Sequence, residues 1–141
     1  MGRVSRGLFS GVAVLWLAAA GAATLAQAQA PEAVPAEARK MKAAFPSSAK
    51  AIEAGKALYA KYCRFCHGNT GAGDSTMAPK GMTPSNLTDA TWARGSSEGE
   101  IYWVIQNGAP PKYEMKGLKG KISDADAWNL VHFVRSLGGV K

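Results

Sequence analysis

The chain contains the pentapeptide Cys63-Arg64-Phe65-Cys66-His67, which includes both of its cysteines and one of its two histidines. Two cysteines separated by two residues and followed at once by histidine form the attachment signature of c-type haem. One helical turn presents both thiols to the same porphyrin edge, where they add across the vinyl groups, and places the imidazole over the ring centre. We therefore predict one covalent haem c, held by Cys63 and Cys66, with His67 as the proximal iron ligand.

Other chemistries that use paired cysteines explain this motif less completely. A structural disulfide requires no histidine after the second cysteine. A zinc site requires four ligands, so the distant His132 would have to join the three residues of the motif. A thioredoxin-like redox pair follows a strand and opens a helix, whereas these cysteines come at the end of a helical pattern. Haem attachment is the interpretation that gives all three side chains a role.

The N-terminus has the pattern of an export signal. The first six residues contain two arginines and no acid, and an uncharged stretch from Gly7 to about Ala26 follows. Ala26-Gln27-Ala28 then supplies a small-x-small cleavage pattern. We predict a signal peptide over residues 1–28 and a periplasmic protein without membrane insertion after cleavage. An uncleaved anchor is the alternative, because the uncharged stretch is long enough to span a bilayer.

The segment after the predicted signal differs in composition from the rest of the chain. Residues 29–46 are rich in Ala, Pro and Glu and include a basic cluster at Arg39, Lys40 and Lys42. This composition predicts a mobile N-terminal extension rather than a part of the fold. Residues 47–141 then form one domain. A domain of about 95 residues has a thin core, to which a bound haem adds a large apolar body.

Three segments of this domain have apolar residues at helical intervals together with helix start and stop signals. Their expected bounds are Ser47 or Ser48 to about Tyr62, Ser97 to Gly108, and Ser123 to Gly138. The second begins with the capping box Ser97-Glu98-Gly99-Glu100. Residues 68–89 are rich in Gly, Pro, Ser, Thr and Asn and are predicted to form a loop. No alternating strand pattern is visible, so we predict an all-α fold.

The motif and the helices together resemble a monohaem class I cytochrome c of the bacterial type, over about Ser47 to Gly139. In that family, a glycine eight residues before the first cysteine and an aromatic residue four before it pack against the C-terminal helix. These positions are Gly55 and Tyr59 here, and the usual partners, an aliphatic and an aromatic residue three apart, are Leu130 and Phe133. The resemblance implies a small cytochrome c fold in which the first and last helices cross closely.

The resemblance also implies a methionine on the distal side of the iron, because a thioether opposite an imidazole favours the reduced state. Family members carry this methionine eight residues before the serine that caps the last helix, and Met115 stands eight residues before Ser123. Lys116 replaces the usual proline, and Leu118 takes the usual aromatic position. The alternative ligands are Met77, Met82 and His132. We expect His132 to be a partly exposed residue of the last helix.

The proximal imidazole requires a hydrogen-bond acceptor, since a metal-bound histidine normally donates its second nitrogen to a carbonyl. In the resembling family, the carbonyl of a proline about twelve residues past the histidine accepts this bond. Pro79 fits that count, and Pro84 is the alternative. We therefore predict that the Pro79 carbonyl orients His67.

The function implied by the resemblance is one-electron transfer between periplasmic redox partners, without catalysis. Two filled axial positions leave no vacancy for a substrate. The first alternative is a dedicated haem c subunit of a dehydrogenase or oxidase complex. The second is an open-site haem protein that acts on peroxide or senses a gas.

The charge of the chain points to the kind of partner. The formal charge is +7, and it falls to about +5 when the two arginines of the predicted signal are removed. Lysines such as Lys112, Lys116 and Lys119 favour transient docking of a monomer to an acidic surface. The resemblance implies a dehydrogenase, a bc1-type complex or a terminal oxidase as partner. Nucleic acid is not expected, because the chain has no basic-aromatic stripe.

Overall fold

A computed structural model gives the fold and describes residues 1–2 and 33–138. Most of the predicted signal peptide lies outside this range. The described residues form helices and loops, with two isolated bridges and no strand. The elements in chain order are a 3-10 helix at Ala36–Lys40, α1 at Ala49–Tyr62, α2 at Arg64–His67, α3 at Glu98–Asn107 and α4 at Asp124–Ser136. The all-α prediction and the three main helices are confirmed. Within the described range, none of the helices is both long and apolar enough to cross a bilayer.

Local side-chain bonds explain why the main helices begin where they do. The Ser48 hydroxyl accepts a hydrogen bond from the Ala51 amide at the start of α1. At the start of α3, the Ser97 hydroxyl accepts from the Glu100 amide while the Glu100 carboxylate accepts from the Ser97 amide. The start of α4 repeats this reciprocal capping box with serine and aspartate. These bonds satisfy amide groups that have no partner within the helix.

The close crossing of α1 and α4 is confirmed. Gly55 is buried, and a Cβ at this position would overlap the carbonyl oxygen of Asn129 on α4. One turn later, the Tyr59 ring lies 5.1 Å from the Phe133 ring, centroid to centroid. Leu130 is fully buried beside this contact. The absent side chain at Gly55 therefore allows the two backbones to touch at the centre of the core.

Part of residues 29–46, the segment predicted to be a mobile extension, is folded. Residues 36–40, which we call the N-terminal strap, pack against α3. Ala38 is completely buried, and a Cβ at Gly99 would overlap the Ala38 carbonyl oxygen. The Arg39 guanidinium donates two hydrogen bonds, of 3.1 and 3.0 Å, to Glu100. The strap therefore belongs to the folded body, because a small residue on each side lets the two backbones meet.

Candidate haem-binding site

The Cys63–His67 motif forms the single helical turn that its spacing predicts. The carbonyl oxygen of Cys63 accepts hydrogen bonds from the amides of Cys66 and His67, at 3.1 and 2.9 Å. Both cysteines are half-buried and neither forms a disulfide. Tyr62, the last residue of α1, is followed directly by this turn, so the helix that packs on α4 also positions the motif. The two sulfurs are consequently presented from one short, well-fixed segment.

The environment of Cys63 keeps its sulfur protonated. Burial, and then the neighbouring Cys66, raise the pKa of the Cys63 thiol to about 12. A thiol with this pKa is neutral at physiological pH and is a poor nucleophile for disulfide exchange. It retains the S–H bond that adds across a vinyl group during thioether formation. A neutral thiol at Cys63 thus suits thioether formation better than disulfide exchange.

The side chain of His67 is buried and is oriented by a backbone carbonyl. Its Nδ1 lies 3.0 Å from the carbonyl oxygen of Ser85. A carbonyl can only accept, so Nδ1 carries the proton and Nε2 keeps the lone pair that binds a metal. Burial lowers the pKa of His67, and the hydrogen bond to Ser85 opposes this effect only in part. The imidazole is therefore neutral and available as a ligand at neutral pH.

The prediction that Pro79 orients His67 is wrong in this structure. The Pro79 carbonyl accepts a hydrogen bond from the Met82 amide at 3.0 Å and closes a local turn. The acceptor of the histidine proton is Ser85, eighteen residues after His67 and directly after the alternative candidate Pro84. A count taken from other family members fails here because the intervening loop has its own length and turns. The nearest prediction from the sequence was the alternative acceptor Pro84, which is the residue before Ser85.

The segment that carries Met115 is attached to the end of α3. The Met115 carbonyl accepts from the Ala109 amide at 3.0 Å, and Gly108 forms a bridge with Lys116. Gly108 has φ +96°, and a Cβ there would lie 2.7 Å from the Met115 carbonyl oxygen. The half-buried Met115 therefore occupies a segment with a fixed backbone. Its role as distal ligand remains a prediction.

The other candidate ligands occupy different environments. Met77 is 52% exposed and Met82 is half-buried, both in the loop after the motif. His132 was expected to be partly exposed, but it is only 4% exposed and lies edge-on to Phe45, with ring centroids 5.6 Å apart. Phe45, five residues after the strap, therefore helps to cover this histidine. Within the described range, no three His, Cys, Asp or Glu side chains form a group that could hold a metal ion.

The donor set fits one covalent haem c. Two neighbouring thiols lie on one helical turn, and the next residue is a buried, neutral imidazole whose second nitrogen is already bonded. The small helical fold and this site together define a monohaem c-type cytochrome, an electron carrier.

The comparison with known protein families gives the particular family. Residues 50–134 match the family described as cytochrome c oxidase, cbb3-type, subunit III, and the chain belongs to this family. The match includes the haem motif and most of α1 and α4. The cofactor is therefore a covalently bound haem c with its iron.

Individual relatives agree with this assignment. The chain is 33% identical to the cbb3-type cytochrome c oxidase subunit FixPc of Rhizobium leguminosarum bv. viciae, over 67% of its own length and 30% of that protein. It thus spans about a third of the curated relative that it matches. A solved c-type cytochrome, KustC0563, is 30% identical over 60% of this chain and 96% of that one, with a TM-score of 0.50. Cytochrome cL of Methylophaga aminisulfidivorans shares the fold at 20% identity, with a TM-score of 0.57 over 77% of this chain and 70% of that one.

Proposed function

We propose that the chain is the haem c electron-transfer component of an oxidase complex of the cbb3 type. In this role it accepts one electron from a donor and passes it to the next haem of the complex. The observation that carries the proposal is the family match, which spans the motif and both crossing helices. A dedicated subunit was the alternative to a free shuttle in the sequence analysis, and the relatives named as oxidase subunits favour it.

The residues of the site perform the binding and orientation that electron transfer requires. The haem supplies the Fe(III)/Fe(II) couple when bound. Cys63 and Cys66 hold the porphyrin on one helical turn, and His67 is fixed in orientation by the Ser85 carbonyl. An imidazole held in this way would move little when a bound haem changes oxidation state, so little reorganisation would oppose transfer. A hydrogen bond from Nδ1 also makes the imidazole a stronger donor to the metal.

We assign the distal axial position to Met115. Its backbone is bonded to the end of α3, and its side chain is half-buried, as is that of Met82, whereas Met77 is 52% exposed. The spacing of Met115 before the serine that caps α4 is what favours it over Met82. A thioether opposite an imidazole favours the reduced iron and raises the potential. A haem held by both His67 and Met115 would have no vacancy for a substrate, and we infer that the chain carries electrons and is not itself an enzyme.

The proposed location is the periplasmic side of the cytoplasmic membrane. The N-terminal sequence pattern of an export signal supports this location, as does the assembly of haem c outside the cytoplasm. Lys112, Lys116 and Lys119 are exposed around the Met115 segment. Such a group of cations favours an electron donor with an acidic docking face, since opposite charges speed encounter.

The assignment of the distal ligand is tested by the optical spectrum of the oxidised holoprotein. The sulfur-to-iron charge-transfer band should be present in the wild type, absent in Met115→Ala and retained in the matched control Met77→Ala. Reduced Met115→Ala should also bind carbon monoxide, whereas the reduced wild type should not. Rapid, stoichiometric binding of carbon monoxide by the wild type at neutral pH would contradict the assignment.

Membership of a complex is tested by affinity purification of the full chain from its native host. We expect other haem-containing oxidase subunits to co-elute and to remain bound at high salt, because the core of a permanent interface is apolar. Elution as a free monomer under the same conditions would contradict the subunit proposal and favour a diffusing shuttle.

A further inference from the structure

The hydroxyl of Tyr59 makes a contact that the helix crossing does not need. The ring of Tyr59 packs on Phe133, and a phenylalanine would fill this space equally well. The hydroxyl instead donates a hydrogen bond of 2.7 Å to the carbonyl oxygen of Gly68, the residue directly after His67. The bond is buried, and Tyr59 is only 3% exposed. Burial is the main cause that raises the pKa of Tyr59 to about 12, so its hydroxyl stays protonated and remains a donor at physiological pH.

Gly68 determines the direction in which the chain leaves the histidine. It ends α2 with φ +80°, and its amide donates to the Arg64 carbonyl at 3.0 Å. This positive φ is a conformation that other residues rarely adopt, so the turn favours glycine. The Tyr59 hydroxyl is the hydrogen-bond donor to the Gly68 carbonyl. It thereby fixes the plane of the peptide that follows Gly68 and limits rotation of the backbone next to the axial ligand.

The loop that begins at Gly68 also leads to the carbonyl that orients His67. The Gly73 amide donates to the His67 carbonyl at 2.9 Å, and the Leu87 amide donates to the Gly71 carbonyl at 2.7 Å. A Cβ at Gly71 would lie 3.6 Å from the Tyr59 hydroxyl, which places this side chain beneath the loop. Leu87 is two residues past Ser85. The loop therefore connects both partners of the His67–Ser85 hydrogen bond, and the Tyr59 hydroxyl contacts the loop at Gly68 and lies close to Gly71.

We propose that Tyr59 is a positioning residue for the axial histidine and that its hydroxyl tunes the haem potential through Gly68. Without this hydroxyl, the loop shifts and the bond from His67 Nδ1 to the Ser85 carbonyl lengthens. A weaker bond at Nδ1 makes the imidazole a poorer donor to the iron, which favours the reduced state. The midpoint potential should therefore rise. This inference rests on haem attachment through the motif, but not on the choice of Met115 or of the partner complex.

The test compares Tyr59→Phe with Tyr102→Phe in the mature holoprotein. Tyr102 also donates its hydroxyl within the protein, to Asp124 at 2.9 Å, but its bond lies between α3 and the start of α4. Two quantities are measured: the midpoint potential and the NMR signal of the His67 Nδ1 proton in the reduced protein. For Tyr59→Phe we expect a higher potential, an upfield shift of this proton and faster exchange with solvent. For Tyr102→Phe we expect a change in melting temperature alone.

The result that would overturn the inference is a Tyr59→Phe protein with the wild-type potential and the wild-type proton signal. The hydroxyl would then stabilise the fold without acting on the histidine. If Tyr59→Phe does not fold, 3-fluorotyrosine at position 59 replaces it, because a more acidic phenol is a stronger donor. The potential should then fall below that of the wild type, and an unchanged potential would contradict the proposal. Absence of covalent haem from the wild type would instead disprove the site itself, so the two failures are distinguishable.

Discussion

Gly55 and Gly99 occupy equivalent situations in two different helices of the molecule. In each case the carbonyl oxygen of another segment lies where a Cβ would be, that of Asn129 against Gly55 and that of Ala38 against Gly99. The first contact joins two long helices across the core. The second joins the N-terminal strap to the first turn of α3. An added methyl group should therefore reduce stability more at Gly55 than at Gly99. A helix in the core cannot move away from the overlap, whereas the strap can.

The largest effect is expected for Gly55→Ala. The added methyl group overlaps the Asn129 backbone, and both helices are held in place by the rest of the core. Overpacking of this kind costs about 3 kcal/mol, which exceeds the gain of about 1 kcal/mol from replacing a glycine within a helix. Chemical unfolding of the holoprotein measures the loss, with Lys56→Ala, an exposed change on the same helix, as control. Equal stability of the two variants would show that the crossing tolerates a side chain.

Gly99→Ala should have a smaller and more local effect. The strap can separate from α3 and relieve the overlap with Ala38, so we expect a net loss of about 1 kcal/mol. Hydrogen exchange and limited proteolysis should show that residues 36–40 become accessible while α1 and α4 stay protected. Two results would contradict the predicted difference between Gly55 and Gly99. Residues 36–40 could remain protected in the variant, or α1 and α4 could lose protection together with them.

The first turn of α3, on which the strap packs, should weaken in acid, because the Glu100 carboxylate accepts hydrogen bonds from both Ser97 and Arg39. Burial alone would raise the pKa of this carboxyl, but hydrogen bonds from Ser97 and Arg39 hold it below its ordinary value of 4.5. A carboxyl whose pKa is lowered by folding stabilises the fold fully above that ordinary value. Its contribution is lost as the pH falls through the lower pKa of the folded state. The protection factors of residues 36–40, which compare each measured exchange rate with the intrinsic rate at the same pH, should therefore fall below about pH 4.5 in the wild type.

The matched variant for this acid effect is Glu100→Gln, which keeps the size of the side chain and removes the titration. It should bind the strap less well at neutral pH and show a smaller acid step than the wild type. An identical acid step in both proteins would assign the pH dependence to other carboxyls.

The smallest effect is expected for Arg39→Ala. The Arg39 side chain is 73% exposed, although that of Glu100 is only 9% exposed. An ion pair that water reaches from one side is screened, and we expect it to contribute about 0.5 kcal/mol. The strap should consequently remain docked in this variant, since the buried Ala38 and the backbone contact at Gly99 persist. Hydrogen exchange as fast as in Gly99→Ala would show instead that the ion pair holds the strap.

The parts of the fold that sequence predicts well depend on local signals. The starts of α3 and α4 follow from capping boxes, whose bonds form within four residues of the chain. Cys63, Cys66 and His67 follow from a motif whose chemistry requires one helical turn. The pairing of Gly55 with the last helix came from the resemblance to a family, because nothing in the local sequence specifies the partner of a glycine.

The parts that sequence predicts poorly depend on contacts between distant segments. Ser85 reaches His67 through a loop of eighteen residues, and the turns of this loop decide which carbonyl arrives there. Gly99 was attributed to the capping box, so its contact with the strap had no separate signal. Ala38 is one alanine in an alanine-rich segment, and nothing in the composition distinguishes this completely buried alanine from its neighbours.

Covalent attachment of the haem is tested most directly by the intact mass of the protein produced with a working cytochrome c maturation apparatus. We predict the mass of the mature chain plus one haem, a haem that resists extraction by acid and solvent, and loss of this added mass in Cys63→Ala/Cys66→Ala. The bare mass of the polypeptide, with both thiols free, would contradict the assignment of the site.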